Sequence, residues 1–100
     1  MYENSEYEWD DDKEKINLEK HGISFQEAVE IFQYPHITKI DDRKDYGEKR
    51  IISVGILDDE IVVVIVVVHT KRETKTRIIS ARKASNKERR LYHEYIEKTT

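Results

Sequence analysis

The residues best equipped to hold phosphate and move a proton fall between positions 69 and 90. His69 follows directly on an apolar run at residues 61–68. Beyond it come Arg77, Arg82 and Lys83 in a strand-like stretch at residues 77–83, then Lys87, Arg89 and Arg90 in a helical one. Histidine is the side chain whose ordinary pKa lies nearest neutrality, and guanidinium forks match phosphate oxygens two at a time. A stiff strand ending in an imidazole beside a cationic strand and helix therefore points to chemistry on a phosphodiester. His69 would exchange the proton and Arg82 would clamp the developing charge. A structural role competes for each: His69 can cap its strand by hydrogen bonds, and Arg82 can pair with the acidic first helix.

Strand alternation sets where these groups point. His69 shares a face with Ile61, Val63, Ile65 and Val67, at the edge of the core, where partial desolvation keeps the ring neutral. The same rule puts Arg82 with Ser80 and Ile78, and turns Arg77, Ile79, Ala81 and Lys83 the other way. The expectation is that His69 and Arg82 converge across a tight hairpin on one solvent-reachable hollow, leaving Arg77 and Lys83 for substrate or partner contacts. Lys20 and Arg50 are further candidates for the catalytic centre. His21 joins Arg77, Lys83, Arg89 and Arg90 as a candidate RNA contact, although Lys20 and His21 end a helix, where the dipole favours cations for structural reasons alone.

Charge distribution supports an anionic partner better than the total does. The net charge is −3. Residues 1–20 hold eight acids against three bases, a balance of −5, whereas residues 71–90 hold nine bases against two acids, a balance of +7. One pole can attract phosphate while the rest keeps the molecule soluble, unless the opposite ends pair with each other or simply face water. The chain has no cysteine, which removes disulfides, thiolate metal sites and cysteine nucleophiles. Its four histidines lack a recognised ligand spacing, so no metal site or cofactor is expected. Serine triads and glycine-rich phosphate loops are absent as well. The longest apolar run is far shorter than the ~20 residues of a membrane span, and the acidic N-terminus is unlike a signal peptide, so the expected location is the cytoplasm.

A length of 100 residues fits one domain, taken to span residues 1–100. Tyr7, Glu8 and Trp9 form a short strand. Asp10 or Asp11 caps a helix that runs to Lys20 and closes at Gly22. Ser24 with Glu27 is a capping box, opening a second helix whose apolar residues are Phe25, Ala28 or Val29, and Phe32, until Pro35 stops it. Four strands follow, at residues 37–40, 49–57, 61–68 and 77–83, with turns at Asp58-Asp59 and residues 70–76. Ser85 or Asn86 then caps a last helix reaching Ile96. The fold class is α+β: a short N-terminal strand and two helices packed on a four-stranded, mainly antiparallel sheet, then a C-terminal helix.

Several spaced blocks in this order resemble the BrnT toxins of bacterial type II toxin–antitoxin systems. They are Tyr7-Glu8-Trp9-Asp10, Lys13, Asn17, residues 20–25, Glu27-Ala28, Phe32, His69-Thr70, residues 77–84 and Glu88-Arg89. Tyr7 and Lys83 stand where family members often carry Phe and a second Arg, and an ammonium lacks the bidentate grip of a guanidinium. The resemblance implies a RelE-like fold and a toxin that cuts RNA and blocks translation. It also implies a BrnA antitoxin partner whose DNA-binding part brings the complex to its own promoter. Cleavage without metal requires a base for the 2′-hydroxyl, cations for the phosphorane and an acid for the leaving 5′-oxygen. The alternative is a basic module that binds nucleic acid or an acidic protein without chemistry.

Overall fold

The structure is a computed structural model and describes residues 1–57 and 63–99. Six strands form one sheet in the order β1-β2-β6-β5-β4-β3. They are β1 (Tyr2–Glu3), β2 (Tyr7–Trp9), β3 (Ile37–Asp41), β4 (Arg50–Ile56), β5 (Val64–Arg72) and β6 (Lys75–Lys83). Neighbours are antiparallel except β2 and β6, which run parallel. The four expected antiparallel strands are thus part of a six-stranded mixed sheet, and the RelE-like plan is not matched in detail. The Asp58-Asp59 turn and the start of the 61–68 run lie outside the described residues.

The helices follow their caps. Asp10 Oδ1 accepts from the Asp12 and Lys13 amides and opens α1 (Asp11–His21), while Gly22, at φ 72°, closes it in the left-handed conformation. Ser24 and Glu27 complete a capping box at α2 (Phe25–Ala28), which tightens at once into a 3-10 helix, Val29–Gln33, and ends before Pro35. The final helix, α3 (Asn86–Thr99), runs beyond the expected residue 96.

One face of the sheet carries the main core. Ile65, Val67, Ile78 and Ala81 pack there against Trp9, Ile23, Phe25, Ala28 and Ile31. The packing is tight at Gly55, where a Cβ would stand 2.9 Å from Ile31 Cβ and 3.1 Å from His36 Cβ. Helix α1 buries no apolar residue of its own and leaves Ile16 and Leu18 exposed. Its anchor is polar: buried Asn17 donates to the carbonyls of Ala81 (2.8 Å) and Ile23 (3.1 Å) and accepts from the Ala81 amide (3.1 Å). Because β2 pairs with β6 only at Thr76 and Arg77, Asn17 satisfies backbone groups that a neighbouring strand would otherwise take. Helix α3 lies against the opposite face of the sheet, where Tyr92 donates to the Pro35 carbonyl at 2.7 Å.

Two local features reset the geometry of the cationic hairpin. Its turn is two residues, with Glu73 at φ 55°, so β5 and β6 extend through most of the region expected as a loop. The register also slips: Val68 pairs with Ser80 but His69 with Ile78, leaving Ile79 as a bulge. A bulge inverts facing for every residue on one side of it. Ile78 therefore joins Ala81 in the main core, and Arg77 turns to the α3 face with Arg82.

Candidate functional site

The register separates the two groups expected to act together. Ser53 and Ile51 of β4 pair with Val67 and His69 of β5, placing His69 on the main-core face, whereas Arg82 pairs with Val66 on the other. Burial agrees. His69 is 8% exposed, its ring packs edge-on against Phe32 with centroids 5.1 Å apart, and its Nε2 lies 2.7 Å from Ser53 Oγ. Ser53 is fully buried and within 3.1 Å of Thr38 Oγ1. Desolvation, with a smaller electrostatic contribution from the nearby His36, pushes the His69 pKa down to about 4. The ring is neutral at pH 7, as expected, yet it is sealed beneath packed side chains. The shared hollow for His69 and Arg82 is therefore corrected: alternation carried each to a different face, and this imidazole is a hydrogen-bonded part of the core.

Arg82 belongs to a different hollow. Between α3 and the sheet lies a groove of about 340 Å³ lined by Ile37, Lys39, Arg43, Ile52, Val54, Arg82, Glu88 and Leu91. Ile37 and Lys39 are on the edge strand β3, opposite Val54 and Ile52 of β4, so alternate residues of both strands supply its floor. Leu91, 51% exposed, supplies an apolar wall. Across the groove the Arg82 guanidinium is gripped by Glu88, Nη1 to Oε1 and Nη2 to Oε2, both at 2.8 Å. That contact raises the Arg82 pKa and pushes Glu88 down to about 2, so the pair is fully ionised near neutrality. The expected alternative partner, the acidic first helix, is not the one used. Arg43 is held by the buried Asp41 at 2.7 and 2.8 Å, which keeps that carboxyl well below its usual range. Lys39 makes no ion pair among the described residues.

The remaining candidates divide by face. Arg50 lies on the groove side of β4, stacked on Tyr46 at 4.1 Å from the ring centroid and 3.2 Å from Glu48. Tyr46 also donates to Asp41, so its ring and its hydroxyl are both engaged within the protein. Arg77 shares this face through the bulge but is paired with Glu8 at 2.6 Å and is 14% exposed. Lys83 points the opposite way, pairing with Ile65. Lys20 and His21 border a separate shallow groove with Lys13, Asn17, Ile79 and Ser80. Arg89 and Arg90 are exposed on α3, Arg89 bonding Asn86 at 2.6 Å. Trp9 is a core residue stacked on Tyr2. Sequence reasoning thus identified Arg82 and Arg50 on the groove's face but missed Lys39 and Arg43. Alternation along residues 37–41 was the available signal for Lys39; Arg43 follows the strand and had none.

Comparison with known proteins gives two findings. Residues 9–88 match the sequence model of a family described as ribonuclease toxin, BrnT, of type II toxin–antitoxin systems. The structure is similar to the crystal structure of the Brucella abortus ribonuclease toxin BrnT, with a TM-score of 0.60 and 22% identity over 82% of this chain and 100% of that one. At that identity the likeness shows the fold alone. No curated protein sequence matches the chain.

Proposed function

Because the chain belongs to the BrnT family of type II ribonuclease toxins, we propose that it cleaves RNA in the groove between α3 and the sheet. The observation that carries this reading is the meeting of three cations from separate segments, Lys39, Arg43 and Arg82, over an apolar floor. A hollow of this size falls in the range of small-ligand sites, ~300–1,000 Å³, and suits one nucleotide, with the floor against the base and the cations at the phosphate. Arg82 stabilises the phosphorane. As O2′ bonds to phosphorus its proton passes to solvent water, and as the bond from phosphorus to the 5′-oxygen breaks Lys39 hands that oxygen a proton, which it regains from solvent. The reaction needs no metal. Arg50 and Arg77 extend the cationic face, and Arg89 and Arg90 contact the flanking backbone. Lys20, His21 and Lys83 lie outside the cleaving centre.

Cutting messenger RNA in the cytoplasm stops translation, and a BrnA-type antitoxin restores it by covering the groove. The antitoxin's DNA-binding part brings the complex to promoter DNA. The test is incubation of antitoxin-free protein with RNA in excess chelator, followed by analysis of product ends. Fragments ending in 2′,3′-cyclic phosphate are expected. Stoichiometric RNA binding without fragments would instead support the non-catalytic module.

A further inference from the structure

Glu88 occupies an unusual position, serving the helix and the groove through one carboxylate. Its Oε1 accepts from the Ser85 amide at 2.8 Å, and its own amide donates to Ser85 Oγ at 3.2 Å, a capping box at the start of α3. That oxygen and Oε2 take the end-on fork of Arg82, each at 2.8 Å. Arg82 Nη1 also donates to the Lys83 carbonyl at 3.2 Å. Arg82 Nε therefore remains without a partner among the described residues, and Nη2, bonded once, keeps a second hydrogen. Together they make a fork of two parallel N–H groups, the geometry that grips a phosphate.

We propose that Glu88 is a positioning residue that locks the guanidinium plane of Arg82, so that its remaining Nε–Nη2 fork meets the scissile phosphate. The inference rests on the groove being the cleavage site. A long side chain that is 43% exposed would otherwise sample many rotamers, and the phosphorane would meet it in the right orientation only part of the time. Glu88 removes that freedom before substrate arrives. Because α3 begins at the same carboxylate, the groove wall and the clamp keep a fixed relation.

Misplacing a charge-stabilising group by about 1 Å costs on the order of 10²-fold in rate. Glu88→Gln, which keeps the shape but loses the charge-assisted bonds, is therefore expected to lower kcat about 30- to 100-fold while KM for RNA changes less than about threefold. Ser85→Ala controls for the cap: it removes a helix-capping hydroxyl, leaves the Arg82–Glu88 pair in place, and should lower the melting temperature without lowering kcat. Arg82→Ala and the double variant Arg82→Ala/Glu88→Gln complete the cycle. If Glu88 acts through Arg82, the double variant cleaves no more slowly than Arg82→Ala alone. Wild-type kcat in Glu88→Gln, a loss confined to KM, or fully additive losses in the double variant would overturn the proposal. Unchanged cleavage by Arg82→Ala would overturn the groove assignment itself, which separates the two failures.

Discussion

Lowering the pH should destabilise the fold through a single imidazole. His69 ionises at about 4 when folded, against an ordinary value of 6.5. A depressed pKa means that the unfolded chain binds the proton first, so this contribution to stability is complete above pH 6.5 and lost as pH falls toward 4. Applied to these two values, linkage gives a loss of about 2 kcal/mol between pH 8 and pH 5, and about 3 kcal/mol once both states are protonated. For a 100-residue chain, 2 kcal/mol corresponds to a fall of roughly 10 °C in melting temperature. Glu88, at about 2, and Asp41, held lower still, lose their charges at more acidic pH and do not dominate this window. Thermal melts at pH 8, 6.5 and 5 on the wild type and His69→Gln provide the assay. Glutamine can keep a bond to Ser53 and does not titrate, so the variant should lose most of the pH dependence while starting from a lower melting temperature. An undiminished pH dependence in His69→Gln would refute the reasoning, because the buried imidazole would then not be its source.

Other outcomes follow from the same geometry. Asn17→Ala removes three hydrogen bonds to buried backbone and should cost about 2–4 kcal/mol in chemical denaturation. Gly55→Ala forces a methyl to within 2.9 Å of Ile31 Cβ and should cost about 1–3 kcal/mol by the same measurement. RNA affinity should fall with salt along a log–log slope of roughly −3.5, the value for three groove cations together with Arg89 and Arg90 on a single strand, and Lys39→Ala should flatten it by about 0.7.

Elements carrying their own stereochemical instructions were legible in the sequence. Asp10, Gly22, the Ser24–Glu27 box and Pro35 bound their helices as expected, because caps and breakers act within one turn of chain. The strand β1 was not legible: two residues carry no periodicity, and their pairing depends on β2 being nearby. Nor was the bulge at Ile79. No glycine marks it, and it arises where β6 accommodates β5, yet it decides that Arg77 shares a face with Arg82. His69 was placed on the correct face by alternation, but the depth of its burial depends on Phe32 and Ser53, which are remote in sequence. The candidate site was legible only as a set of cations. Which of them meet was settled by register, so the pairing of His69 with Arg82 gave way to Arg82 with Lys39 and Arg43.

The most direct measurement is the rate of RNA cleavage, in chelator and without antitoxin, by His69→Gln and Arg82→Ala, each shown by circular dichroism to be folded. A catalytic groove on the α3 face predicts that His69→Gln cleaves within a few-fold of wild type and that Arg82→Ala is slower by about 10²-fold or more. An inactive but folded His69→Gln beside an active Arg82→Ala would contradict it.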